Sequence, residues 1–195
     1  ASSAASAGAT TSLPAPYAAL GDVLPALAFP LLTLAGVVLL VVAWWLLRPR
    51  AGRPGPDARL VLALWAFPLA TSPLILSFDA YGYADLGWAL WHGFDPYTAG
   101  FRTTGSPFIP GVAYFLEGVC WGYPGLGIAI NSWAAALTGF HPYWGVIAQR
   151  LPAWGGVALM AFSLPRIAAS IGVSKRMAVW FGLLNPIVVL HLLGG

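Results

Sequence analysis

Val23 to Leu47 runs for 25 residues without a charged side chain and ends in Trp44-Trp45. A helix needs about 20 apolar residues, rising 1.5 Å each, to cross roughly 30 Å of hydrocarbon. Leu60 to Phe78 and Met177 to Gly195 are two further charge-free runs of 19 residues each. Only 8% of the 195 residues are charged and 59% are hydrophobic, against about 25% charged in an ordinary soluble domain. Nine Lys+Arg and six Asp+Glu cannot cover the surface of a soluble fold of this length. A cytosolic enzyme, a disulfide-rich secreted domain and a disordered tail are excluded. The expected class is an all-α integral membrane protein, a polytopic helical bundle in a lipid bilayer.

A fourth span is harder to place. Fifteen residues separate Arg150 from Arg166, too few to cross. A helix from Pro142 to Pro165 has 24, and proline suits a first helical turn, but this puts Arg150 inside the membrane. The expected spans are 23–47, 60–78, 142–165 and 177–195. An Ala/Ser-rich segment, 1–22, is expected to be disordered, and 79–141 forms a large loop with re-entrant or interfacial helices.

The cations give this arrangement a direction. Arg48, Arg50, Arg53 and Arg59 fall between the first two spans; Arg166, Lys175 and Arg176 fall between the last two. The loop 79–141 holds only Arg102. Seven against one is a positive-inside signal, so both basic loops are assigned to the cytoplasm. The loop and the end near His191 then face the extracytoplasmic side of the plasma membrane. An N-terminus on the outside, together with a chain that ends in Gly194-Gly195, suggests part of a longer protein. The cations are spread along the chain rather than gathered on one polar face, so no nucleic-acid partner is expected. Cys120 is the single cysteine and forms no internal disulfide.

Four of the six carboxylates, Asp79, Asp85, Asp95 and Glu117, crowd into the loop. Asp79 stands where the second span leaves the membrane, partly desolvated at a helix end, where a carboxylate can serve as a general base; the bland alternative is an acid that merely ends the apolar run. If the chain stays helical, Asp85 is turned about 600° from Asp79 and lies on another face, whereas Tyr83, at i+4, lies beside Asp79. One base is therefore favoured over a carboxylate pair. Asp95, in Gly93-Phe94-Asp95-Pro96-Tyr97, belongs to an Asx-Pro turn. Trp88, Trp91 and Tyr97 can stack on a sugar or form an interfacial aromatic belt. Arg150 in an apolar helix needs a cavity, a carboxylate or a bound anion such as lipid phosphate, unless it snorkels to the interface. His191 follows Asn185-Pro186, a break in the last span. His92, His141 and His191 lack metal-binding spacing, and no Walker A, GxSxG or GxGxxG pattern occurs. No metal or cofactor is expected.

Phe78-Asp79-Ala80-Tyr81-Gly82-Tyr83-Ala84-Asp85-Leu86-Gly87 followed by Gly93-Phe94-Asp95-Pro96-Tyr97 resembles the first extracytoplasmic loop of GT-C glycosyltransferases. The match is nearest to the actinobacterial polyprenol-phosphate-mannose-dependent alpha-(1→6)-mannosyltransferases of lipomannan and lipoarabinomannan synthesis. Ala135 to Gly139, Gln149-Arg150-Leu151 with Leu164-Pro165-Arg166, and Leu184-Asn185-Pro186 through His191 to Gly195 extend the resemblance over about residues 60–195.

It implies a GT-C membrane domain that moves mannose from a polyprenyl-phosphate-mannose donor to a mannan or lipomannan acceptor. The acidic catalytic role falls on Asp79, with Asp85 in reserve. Donor phosphate falls to Arg150 and, less directly, Arg102. Tyr81, Tyr83, Asp95, Tyr97 and His191 are the candidate substrate contacts. The loop departs from the family pattern at Thr98 to Arg102 and at Tyr123-Pro124-Gly125-Leu126, which bears on acceptor choice. A lipid-linked sugar transporter or flippase, with Arg150, Glu117 and His191 on its pathway, and a non-catalytic scaffold subunit are the competing readings.

Overall fold

The computed structural model describes residues 28–52, 55–72, 78–120 and 122–194; the segment 1–22 lies outside them. Every regular element among the described residues is helical. The described residues form two compact units, one within 78–152 and the other within 28–72 and 153–194.

In the second unit the apolar runs become helices where local chemistry starts and stops them. Helix α1 spans Ala28–Leu46. Helix α2 spans Ala58–Thr71, opened by the Asp57 carboxylate, which accepts the Arg59 amide at 2.8 Å. It stops short of the expected 60–78 because Ser72 precedes Pro73, and proline drives its predecessor out of the helical region; Ser72 is extended, with ψ 152°. Residues 73–77 lie outside the described set. Helix α6 spans Leu151–Ser170, with Pro165 inside it. The last run divides into α7, Lys175–Gly182, and α8, Pro186–Leu193, bent by 47°. The break falls at Asn185-Pro186 as expected: proline has no N–H for the ladder, and the Asn185 side chain accepts the Ile187 amide at 2.9 Å. From Val189 to Leu193 the helix is wound as a π-helix.

Leu183, Val189 and Leu193 pack with Val157 of α6, and Leu40, Leu62, Trp65 and Leu69 close around them. Trp44 and Trp180 stack with centroids 4.4 Å apart and planes 3° from parallel. Each indole N–H donates to the other residue's carbonyl, at 3.0 and 2.7 Å. Trp44 is thus a packing and hydrogen-bonding residue.

Length and composition make one described helix run, Trp144–Ser170, sufficient to cross a membrane, or two if the bent pair is one span. α1 and α2 contribute apolar stretches too short for that test, Pro30–Leu46 and Ala58–Ala70. The surface of α1 is nonetheless apolar apart from Thr33: Leu31, Leu34 and Leu39 are each more than 60% exposed. Such a helix belongs in lipid or a core, and the chain is a membrane-associated, all-α protein.

In the first unit the segment 79–141, expected as a loop with re-entrant or interfacial helices, folds as helices packed on one another. Helix α3 spans Asp79–Trp91, α4 Gly125–Ala136 and α5 Trp144–Ala148, with two 3₁₀ turns at Ile109–Gly111 and Tyr114–Leu116. At 13 and 12 residues, α3 and α4 are too short to cross a bilayer. They pack through small residues. A Cβ on Gly87 would meet the Ser132 backbone at 2.8 Å, and the Ser132 hydroxyl donates to the Gly87 carbonyl at 2.7 Å. Ala80, Ala84, Ala135, Phe108 and Val146 form one core here; Leu86, Phe101, Val112 and Ile128 form another.

Candidate active site

Asp79 is the first residue of α3, following Phe78, and its side chain is exposed. The far side of the helix is buried through Ala80, Gly82, Ala84, Asp85, Leu86, Gly87 and Ala89. A carboxylate on such a helix end is held by a rigid element.

One turn along, Tyr83 is partly buried and meets Tyr123 edge to face, centroids 5.9 Å apart. Its phenol is pushed well above the ordinary tyrosine range, first by burial, then by its hydrogen bond and charge interaction with Tyr123, and last by the negative charge of Asp79. Tyr97 joins the group by donating its hydroxyl to the Tyr123 carbonyl at 2.9 Å. Asp79, Tyr83, Tyr123 and Tyr97 therefore make one continuous acidic and aromatic patch. Tyr123 was missed as a site residue. The sequence marked it only within the departing stretch Tyr123 to Leu126, and 39 residues of intervening chain hide its pairing with Tyr83.

Asp85 is placed differently. It is 1% exposed and accepts the Arg102 amide at 3.0 Å and the Ser106 hydroxyl. Arg102 sits at φ 65°, in the left-handed region. Its guanidinium donates to the carbonyls of Ile109 and Val112, at 2.8 and 2.6 Å, and stands 3.8 Å from Glu117. The two residues come together as a brace that folds the segment between α3 and α4. Next to it, Gly100 lies so close to Gly118 that a Cβ would stand 2.3 Å from the Gly118 carbonyl carbon.

The remaining expected residues separate by role. Tyr81 is packed into both cores, with its ring against Gly111, and burial raises its phenol pKa. Asp95 builds its turn, accepting the Tyr97 amide at 3.0 Å and the Thr98 hydroxyl at 3.2 Å. Arg150 follows α5 at the turn into α6 and is 4% exposed, so its side chain is covered by protein rather than extended to a surface. Beside it the Gln149 amide donates to the Asn131 and Gly145 carbonyls, at 3.2 and 3.1 Å, tying the turn to α4 and α5. His191 is exposed on the π-wound turn of α8, in the second unit. Among the described residues no group of three His, Cys, Asp or Glu could hold a metal.

These features define a membrane-associated helical domain that presents one acid and an aromatic cluster at a helix entrance and buries an arginine in the same unit. A family model described as "Alpha-(1->6)-mannopyranosyltransferase, N-terminal domain" matches residues 2–195, and the chain belongs to that family. It is similar to "Alpha-(1->6)-mannopyranosyltransferase A" of Corynebacterium glutamicum, 30% identical over 128 residues, 66% of this chain and 26% of the relative. The protein of the same name in Mycobacterium tuberculosis is 29% identical, covering 82% of this chain and 32% of its own. A "Probable alpha-(1->6)-mannopyranosyltransferase" of Mycolicibacterium smegmatis is 31% identical, covering 84% and 31%. The chain thus spans about a quarter to a third of the length of these curated relatives. No solved structure matches it.

Proposed function

We propose that this chain is the acceptor-activating part of a polytopic plasma-membrane mannosyltransferase. The enzyme transfers mannose from a polyprenyl-phosphate donor to a mannan or lipomannan acceptor with an alpha-(1→6) linkage, on the extracytoplasmic side. The observation that carries the reading is the contrast within α3: Asp79 is exposed at the helix entrance, while Asp85 is buried and committed to Arg102 and Ser106.

The chemistry requires one base. A glycosidase must protonate a sugar leaving group and so uses a second carboxylate; a polyprenyl phosphate leaves as a stable anion. Asp79 takes the proton from the acceptor 6-hydroxyl as its oxygen attacks the anomeric carbon. The bond from that carbon to the phosphate oxygen breaks, and the electron pair leaves on the phosphate, with inversion. Arg150 holds the phosphate and stabilises its growing charge. Tyr83, kept protonated by its surroundings, can donate a hydrogen bond to a sugar hydroxyl, and Tyr97 and Tyr123 offer ring faces. Arg102 and Asp85 hold the segment in shape.

The test is mannosyl transfer in membranes containing the complete protein, with polyprenyl-phosphate-mannose and a short mannoside acceptor. Asp79→Asn is expected to lower transfer about 100-fold or more at unchanged protein level. Arg150→Gln should weaken donor use in particular. Near wild-type transfer by Asp79→Asn removes the base assignment and favours the scaffold reading.

A further inference from the structure

The second unit contains a cavity of about 540 Å³ that the proposed transfer reaction does not use. That volume lies in the range of small-molecule sites. All its lining belongs to this unit: the end of α1 and the turn after it, the start of α2, Pro165 of α6, and α7 with Leu184. The lining is divided by chemistry. Arg48, Arg50, Lys175 and Arg176 are exposed at the rim, against a single carboxylate, Asp57. Asp57 already accepts the Arg59 amide as the cap of α2, so the rim carries a surplus of positive charge.

The floor is apolar. Trp180 and Leu184 are 7% and 4% exposed, and Leu47 and Val179 are half-buried beside them. The paired indoles of Trp44 and Trp180 lock this floor in place. The Arg48 guanidinium is drawn over it, 5.5 Å from the Trp45 ring and 6.0 Å from that of Trp180. Helices α2 and α7 both begin at the cavity, adding the positive ends of two dipoles to the four cations.

A polar anion alone would use the rim but not the floor; an apolar molecule alone would use the floor but not the rim. We propose that this cavity binds the phosphate ester of an anionic lipid, the phosphate on Arg48, Arg50, Lys175 and Arg176 and the start of the acyl chain on Trp180 and Leu184. The basic loops that form it are those the charge pattern assigns to the cytoplasm, where anionic headgroups meet basic pockets.

The experiment is native mass spectrometry of the complete protein released from detergent. It is carried out with phosphatidylglycerol, with phosphatidylcholine, and with glycerol 3-phosphate as a soluble competitor. Phosphatidylglycerol should be retained about tenfold over phosphatidylcholine. Arg50→Gln combined with Lys175→Gln, two exposed changes that leave the tryptophan pair intact, should remove about that tenfold preference without lowering the melting midpoint. Equal retention of the two lipids by the wild type, or an unchanged preference in the double variant, overturns the proposal. Displacement of the lipid by equimolar glycerol 3-phosphate also overturns it, by making the cavity a site for soluble phosphate. None of these readouts involves mannosyl transfer, so they are independent of the role of Asp79.

Discussion

The two units of this chain solve the same problem, packing short apolar helices, by different means. The unit of α3, α4 and α5 adds buried polar bonds to its two apolar cores: Asp85 on Arg102 and Ser106, and Ser132 on Gly87. The unit of α1, α2, α6, α7 and α8 is fixed by aliphatic packing and one tryptophan pair. Buried polar bonds are directional, and each unsatisfied partner costs the desolvation of that group. They suit a segment that holds its side chains in one geometry. Aliphatic packing has no such direction and suits helices whose outer faces meet lipid.

This comparison can be broken by experiment. The largest effect is expected from Asp85→Ala, which strands the Ser106 hydroxyl and the Arg102 amide in the interior. The loss should be about 3 kcal/mol, read as a lower melting midpoint in detergent. Asp79→Asn, six residues away, should leave that midpoint unchanged. If the two variants melt alike, the division of labour within α3 is wrong. A smaller loss, about 2 kcal/mol, is expected from Trp180→Phe, which keeps a benzene ring but removes the rest of the indole and with it one of two reciprocal hydrogen bonds. A loss as large as that of Asp85→Ala would mean that the second unit also depends on polar specificity.

The smallest effect concerns pH. Tyr83 has a folded pKa above its ordinary value of 10, so the folded state holds this proton more tightly than the unfolded one. The stability it contributes is complete below about pH 10 and fades as pH rises toward the folded value. Melting midpoints followed above pH 9 should fall less steeply in Tyr83→Phe than in the wild type. Equal slopes would remove Tyr83 from the patch around Asp79.

Much of this was legible from local chemistry. The break at Asn185-Pro186 follows from the missing proline amide, and the separation of Asp79 from Asp85 follows from helical periodicity. So does the pairing of Asp79 with Tyr83 at i+4. The turn role of Asp95 was readable from Asp95-Pro96. The early end of α2 was readable too, since Pro73 dictates an extended Ser72, but the length of the apolar run concealed it. The loop between the second and third expected spans was legible as polar and aromatic with short re-entrant or interfacial helices, but not as a packed unit. That it folds as α3 packed on α4 depends on Gly87 meeting Ser132, 45 residues apart, and no periodicity reports such a contact.

The sequence by itself determined that this chain meets lipid, because 8% charge cannot solvate a surface of this size, and it marked the few acids and arginines that need a reason to be there. Only the tertiary structure decided which of them are braces. Asp85 and Arg102 look like reactive groups along the chain, and they become a scaffold once the turn at Arg102 brings its amide onto the buried carboxylate. Charge and hydropathy are properties of a residue, whereas burial and partnership belong to pairs that only folding brings together.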